Sequence, residues 1–256
     1  MSDPQRPTGA RARHRPGPRS RSAAEQAAAA VHDLSIIERR RQGRDTYREQ
    51  LASIMTDLAR MVDIVQAALA DATRALLTSD LALAEQVISN DQLLDDLAEE
   101  LERRSFSLLA RQAPVAGELR TVFSAIRLLT ELSRMGDLTA HVAKIARLRF
   151  PDCAVPESLH ENFQQMATIA DAMVEAAGTT LRERDVEAAR RLAAEDRRMD
   201  QLRRDQFRVL LDDSWPHGVE AAVDTALLGR YYERIADHAV EIGDRLIYIV
   251  TGEDPD

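Results

Sequence analysis

The sequence predicts an all-α protein built as duplicated, elongated, antiparallel three-helix bundles, and three observations carry that prediction. Ala, Leu and Arg dominate while aromatic residues make up 4% of the chain, which suits aliphatic cores on helices better than twisted sheets. Apolar residues recur at spacings of three and four over stretches of roughly 30 residues, the period of one helix face. The pattern is then written twice. At 256 residues and 45% hydrophobic, the chain can bury a real core in one or two domains.

Residues 1–44 stand apart. They hold ten arginines and carry a net charge of +6, whereas the remaining residues carry −15. Pro4, Pro7, Pro16 and Pro18 lie among these arginines, a composition that cannot repay ordering, so a basic, disordered extension is expected there. Ala23 to Ile37 reads as a short helix of its own, and Arg39 to Arg41 as a solvated charge run.

Prolines and caps then set the elements of the body. Leu51, Ile54, Leu58, Met61, Val65, Leu69 and Leu76 form the apolar stripe of a first helix over 47–77. Ser79 and Asp80 offer a cap before a second helix striped by Leu83, Val87, Leu94, Leu97, Leu101 and Leu108. Pro114 suits the first turn of a third, which runs through Leu119, Val122, Ile126, Leu129, Leu132 and Met135 to Leu148. Pro151 and Pro156 break the pattern, and a fourth helix follows from Leu159 through Phe163, Met166, Ile169 and Met173 to Ala177. Arg184 and Asp185 mark the junction with a fifth, Val186 to Leu210. Trp215, Pro216 and Gly218 precede a sixth that ends near Val250. The expected domains are therefore 45–150 and 151–250, each a three-helix bundle with short loops between antiparallel neighbours, followed by a tail at 251–256.

The duplication locates the candidate site. Asp91 and Asp95 align with Asp196 and Asp200 at an offset of 105, while Ser133, Gly136 and Asp137 align with Glu233, Ala236 and Asp237 at an offset of 100. Carboxylates four residues apart share a helix face and repel one another. A cation would remove that penalty, and oxygen ligands suit hard or intermediate ions. Glu241 and Asp244 extend the acidic side of the sixth helix. Gly136 and Ala236 are small enough to let another backbone approach closely.

Other chemistries find little support. The single cysteine, Cys153, excludes an intrachain disulfide framework and a thiolate cluster. No apolar run reaches the length of a membrane span, and a cytoplasmic protein is expected. There is no glycine-rich phosphate loop, nucleophile elbow or His-Glu-x-x-His, and one Glu-x-x-His, Glu157 with His160, falls short of the two that a ferritin-like di-iron bundle uses. The acidic body disfavours nucleic acid as a partner. Long amphipathic helices can leave an apolar stripe for a second copy, which periodicity does not separate from core; a homodimer is among the expected partners. The residues leave open a metal-storing or redox-active, ferritin-like helical enzyme and a metal-independent helical scaffold.

Two segments resemble a known family. Leu109-Ala110-Arg111-Gln112-Ala113-Pro114-Val115-Ala116-Gly117-Glu118-Leu119-Arg120 is similar to the turn between the second and third helices of PhoU, the phosphate-uptake regulatory family, and Tyr232-Glu233-Arg234-Ile235-Ala236-Asp237-His238-Ala239 is similar to its second signature. The resemblance spans about Tyr47 to Val250 and leaves residues 1–44 outside. It implies duplicated three-helix bundles and a regulator, not an enzyme, working with the ATPase of a phosphate ABC transporter and a phosphate-sensing histidine kinase, associated with the membrane only through those partners. It also implies metal sites for Fe, Mn, Mg or Zn: Glu233, Asp237, Asp196 and Asp200 in the second half, and Asp137, Asp91 and Asp95 in the first. Ser133 stands where the first site expects an acid, with Glu131 or water as the substitute, so the second site is the better candidate.

Overall fold

A computed structural model describes residues 23–111 and 116–253, with the backbone alone for residues 23–37, 39, 40 and 111. The described residues form α1 (Ala23–Thr78), α2 (Leu81–Arg111), α3 (Ala116–Arg149), α4 (His160–Glu183), α5 (Val186–Leu210) and α6 (Gly218–Thr251), with a 3₁₀ turn at Glu157–Leu159 and no strand among them. None of these helices is long and apolar enough to cross a membrane. Pro114, expected to open the third helix, and residues 254–256 lie outside the described residues, as do residues 1–22.

The chain divides into residues 1–46 and 47–256. In the first unit the helix already begins at Ala23, so the short helix expected at Ala23–Ile37 is the opening stretch of α1 rather than a separate element. No proline falls between Ala23 and Thr78, and Gly43 weakens a helix without removing a backbone donor.

In the second unit the expected stripes face inward. Ile54, Leu58, Met61, Val65 and Leu69 of α1 are buried, as are Leu94, Leu101 and Leu108 of α2 and Leu128, Leu132 and Met135 of α3. Phe163, Met166, Met173, Met199, Tyr232 and Leu246 close the core from α4, α5 and α6. Leu119, assigned to the α3 stripe, is instead exposed near its start, while Leu148, the expected end of that helix, is exposed in its last turn.

One hydrophobic cluster contains residues from all six helices, so the core continues across the expected boundary at 150. Side chains of α1 stitch across that boundary too: Gln66 Nε2 donates to Asp171 of α4 at 3.1 Å, and Thr73 shares a 2.7 Å hydrogen bond with the buried Tyr232 hydroxyl of α6. Helix α3 packs against both α2 and α6.

The repeat extends into the turns. Ser79 and Arg184, 105 residues apart, both adopt the left-handed conformation (φ 52° and 57°). The next residue in each case caps the following helix: Asp80 Oδ1 accepts the Leu83 N–H at 3.0 Å, and Asp185 Oδ1 accepts those of Glu187 and Ala188 at 2.9 and 3.0 Å. A side chain in the left-handed region costs about 1 kcal/mol, which glycine avoids at some entropic expense. Arg184→Gly should therefore raise stability by about 0.5 kcal/mol, and Asp185→Ala should lower it by about 1 kcal/mol, both read from urea unfolding.

Candidate functional site: two carboxylate clusters

Each cluster lies along two packed helices, α2 with α3 and α5 with α6. In the second half, α5 presents Asp196 and Asp200 toward Glu233 and Asp237 of α6. Their mutual repulsion is visible in their acidities: burial first, then Asp237, Asp200 and Glu233, pushes the Asp196 carboxyl above its ordinary value. Burial and Glu233 do the same to Asp237, with Arg230 opposing. One oxygen of Asp196 is buried without a hydrogen-bond partner.

Glu233 is engaged differently. It is 6% exposed, and both of its oxygens accept from guanidinium groups: Oε1 from Arg203 Nη1 of α5 at 2.7 Å, and Oε2 from Arg230 Nη1 of α6 at 2.5 Å. Arg230 also lies 3.8 Å from Asp237, and Arg204 lies 3.7 Å from Asp200. The Arg203 guanidinium stacks 5.2 Å from the Phe207 ring, which fixes its direction.

The first cluster lacks such cations. Burial, then Asp137 and Asp95, raises the Asp91 carboxyl, opposed by the more weakly felt Lys144 and His141. Among the described residues, no arginine or lysine ion-pairs with Asp91, Asp95 or Asp137. Gly136 does serve a close approach, but of the Leu94 side chain rather than the expected backbone, and a Cβ at this position would strike it. Beside Asp91 a cavity of about 210 Å³ opens between α1, α2 and α3, lined by Ile64, Ala68, Asp71 and Gly136.

A carboxyl group whose folded-state value is raised binds protons more tightly when folded. Its contribution to stability is greatest below the ordinary value near pH 4 and is lost as pH rises through the raised one. Asp91→Asn and Asp196→Asn should each stabilise the protein at pH 7 by a few tenths of a kcal/mol, about 0.3. That advantage should disappear below about pH 4, as followed by melting temperature against pH.

Neighbouring side chains are committed elsewhere. Glu131 accepts a 2.7 Å hydrogen bond from His238 Nδ1, linking α3 to α6, and that bond holds its carboxyl below the ordinary range. It is thus occupied as a substitute for Ser133. His141 lies against the Tyr231 ring, and His160 Nε2 donates to the Val155 carbonyl at 2.9 Å and contacts Cys153 Sγ at 3.5 Å. Burial and Glu241 raise the Asp244 carboxyl at the far end of the acidic side of α6. Sequence reasoning missed Arg203 and Arg230. The signal that could have found them is the alignment itself, since the same offsets place Ala98 and Thr130 at their positions in the first half.

The structure brings the predicted carboxylates together in two helix pairs. Among the described residues, however, no group of three or more His, Cys, Asp or Glu side chains converges to hold a metal ion. The donor set at Glu233 is taken by guanidinium groups rather than left open to an ion.

Fold and site together define a duplicated six-helix bundle with a charged seam between each pair of antiparallel helices. The PhoU domain model matches residues 58–146 and 163–246, which correspond to the two halves. The phosphate-specific transport system accessory protein PhoU homolog 2 of Mycobacterium tuberculosis (strain ATCC 25618 / H37Rv) is 46% identical over 212 residues, covering 83% of this chain and 100% of the relative. PhoU homolog 1 of Mycobacterium leprae (strain TN) is 44% identical over 213 residues, covering 83% and 96%. The crystal structure of PhoU from Pseudomonas aeruginosa superimposes with a TM-score of 0.74 at 25% identity, covering 81% of this chain and 100% of that one. The chain belongs to the PhoU family.

Proposed function

We propose that this protein is an accessory regulator of phosphate transport: a helical adaptor, not an enzyme, that restrains phosphate uptake and starvation signalling when phosphate is plentiful. The observation that carries this reading is the match of both halves to the PhoU domain, with relatives named as accessory proteins of a phosphate-specific transport system aligned over four-fifths of the chain. Under this reading its partners are the ATPase of the phosphate ABC transporter and a phosphate-sensing histidine kinase, reached from the cytoplasmic face of the membrane.

The fold suits an adaptor. A core continuous through all six helices holds the outer faces in fixed relation, so contact at one face can be transmitted as a rigid-body displacement of another. A second copy of the chain is a further partner, and Phe106 and Phe123, each more than half exposed, are apolar surface available for it. A tagged chain crosslinked in cells grown in high phosphate should recover the transporter ATPase from solubilised membranes. Recovery of neither the ATPase nor the kinase would contradict the adaptor role.

A further inference from the structure

We infer that the carboxylate cluster between α5 and α6 is a metal-free arginine clamp, in which Arg203 and Arg230 occupy both oxygens of Glu233 at the position where the family resemblance places a metal ion. A metal-binding carboxylate must direct a lone pair at an ion about 2.0–2.6 Å away. Both Glu233 oxygens are instead taken, at 2.7 and 2.5 Å, and the side chain is only 8% exposed. A divalent ion at that distance would sit beside two guanidinium groups of its own sign.

The duplication supplies an internal control. At the offsets of 105 and 100, Arg203, Phe207, Arg230 and Glu233 correspond to Ala98, Glu102, Thr130 and Ser133. The carboxylate, both of its guanidinium partners and the ring beneath one of them are thus absent together from the first half. Ala98, Thr130, Ser133 and Asp137 instead border an open depression of about 490 Å³. Unrelated surface charges would have no reason to differ as a set. A clamp would, because removing its carboxylate alone leaves two arginines facing each other across a helix seam.

The test is Mn²⁺ binding to the full chain, stripped with chelator and equilibrated by dialysis, in a background where Asp91→Asn, Asp95→Asn and Asp137→Asn silence the first cluster. This background should take up no Mn²⁺, and adding Glu233→Gln with Asp237→Asn should change nothing. Arg203→Ala with Arg230→Ala should open the cluster to roughly one Mn²⁺ per chain, an uptake that Glu233→Gln then removes. Circular dichroism reports folding, and Arg203→Gln with Arg230→Gln substitutes for the alanine pair should the latter not fold. Uptake of roughly one Mn²⁺ per chain by the unopened cluster, abolished by Glu233→Gln with Asp237→Asn, would overturn the clamp. So would an opened cluster that still takes none, since the arginines would then not be what excludes the ion.

Discussion

Phe163→Ala should cost about 4 kcal/mol, the largest loss expected from a single substitution in this protein. Phe163 is fully buried at the start of α4, and its ring meets the edge of Tyr232 in α6 at a centroid distance of 6.0 Å. Tyr232 in turn reaches Thr73 of α1 through its hydroxyl. Truncation therefore opens a cavity at the point where both halves share their core, and rigid helices on three sides limit how far it can collapse. Chemical unfolding should show a single transition displaced to lower denaturant. A loss below about 1.5 kcal/mol would mean that the two halves hold together without this contact. Two separated transitions would mean that their cores unfold independently.

Glu233→Ala comes next, with an expected loss of about 3 kcal/mol, a melting-temperature drop of roughly 6–12 °C for a unit of this size. The cost comes from the partners left behind: Arg203, partly buried, and Arg230, more exposed, both aimed at Glu233, lose their shared counter-charge. For that reason the triple variant Arg203→Ala, Glu233→Ala, Arg230→Ala should be more stable than Glu233→Ala alone, although it changes more residues. Thermal melts of the two variants with and without chelator decide the matter. A Glu233→Ala variant within about 0.5 kcal/mol of the parent would show that the ion pairs contribute no more than exposed ones do.

Much of this architecture is written in the sequence as period and punctuation. The stripe from Leu51 to Leu76 names the buried face of α1, and Asp80 and Asp185 announce the starts of α2 and α5 because capping is local chemistry within three residues. The left-handed Ser79 and Arg184 are less legible, since neither is the glycine that such a position favours. Leu119 lies outside the core because periodicity assigns a face to a helix without saying how far along it a neighbour extends.

The site divides in the same way. Asp91, Asp95, Asp137, Asp196, Asp200, Glu233 and Asp237 are readable from spacing and repetition. Their counter-charges are not, because an arginine has four rotatable bonds and its choice of partner depends on the rotation of two helices about their axes. The Glu131–His238 bond joins residues 107 positions apart, beyond any local pattern. That the two halves share one core is equally invisible to period, since an apolar face reads the same whichever element covers it.

The most direct test of the regulatory role is a phosphate-starvation reporter in the source organism, measured in high phosphate after this gene is deleted and again after it is restored. Starvation-gene expression that stays on in the deletion strain and is silenced by the restored gene is the expected result. Expression that stays off in the deletion strain, with no second copy of the gene present, would contradict the role of this chain as a brake on phosphate-starvation signalling.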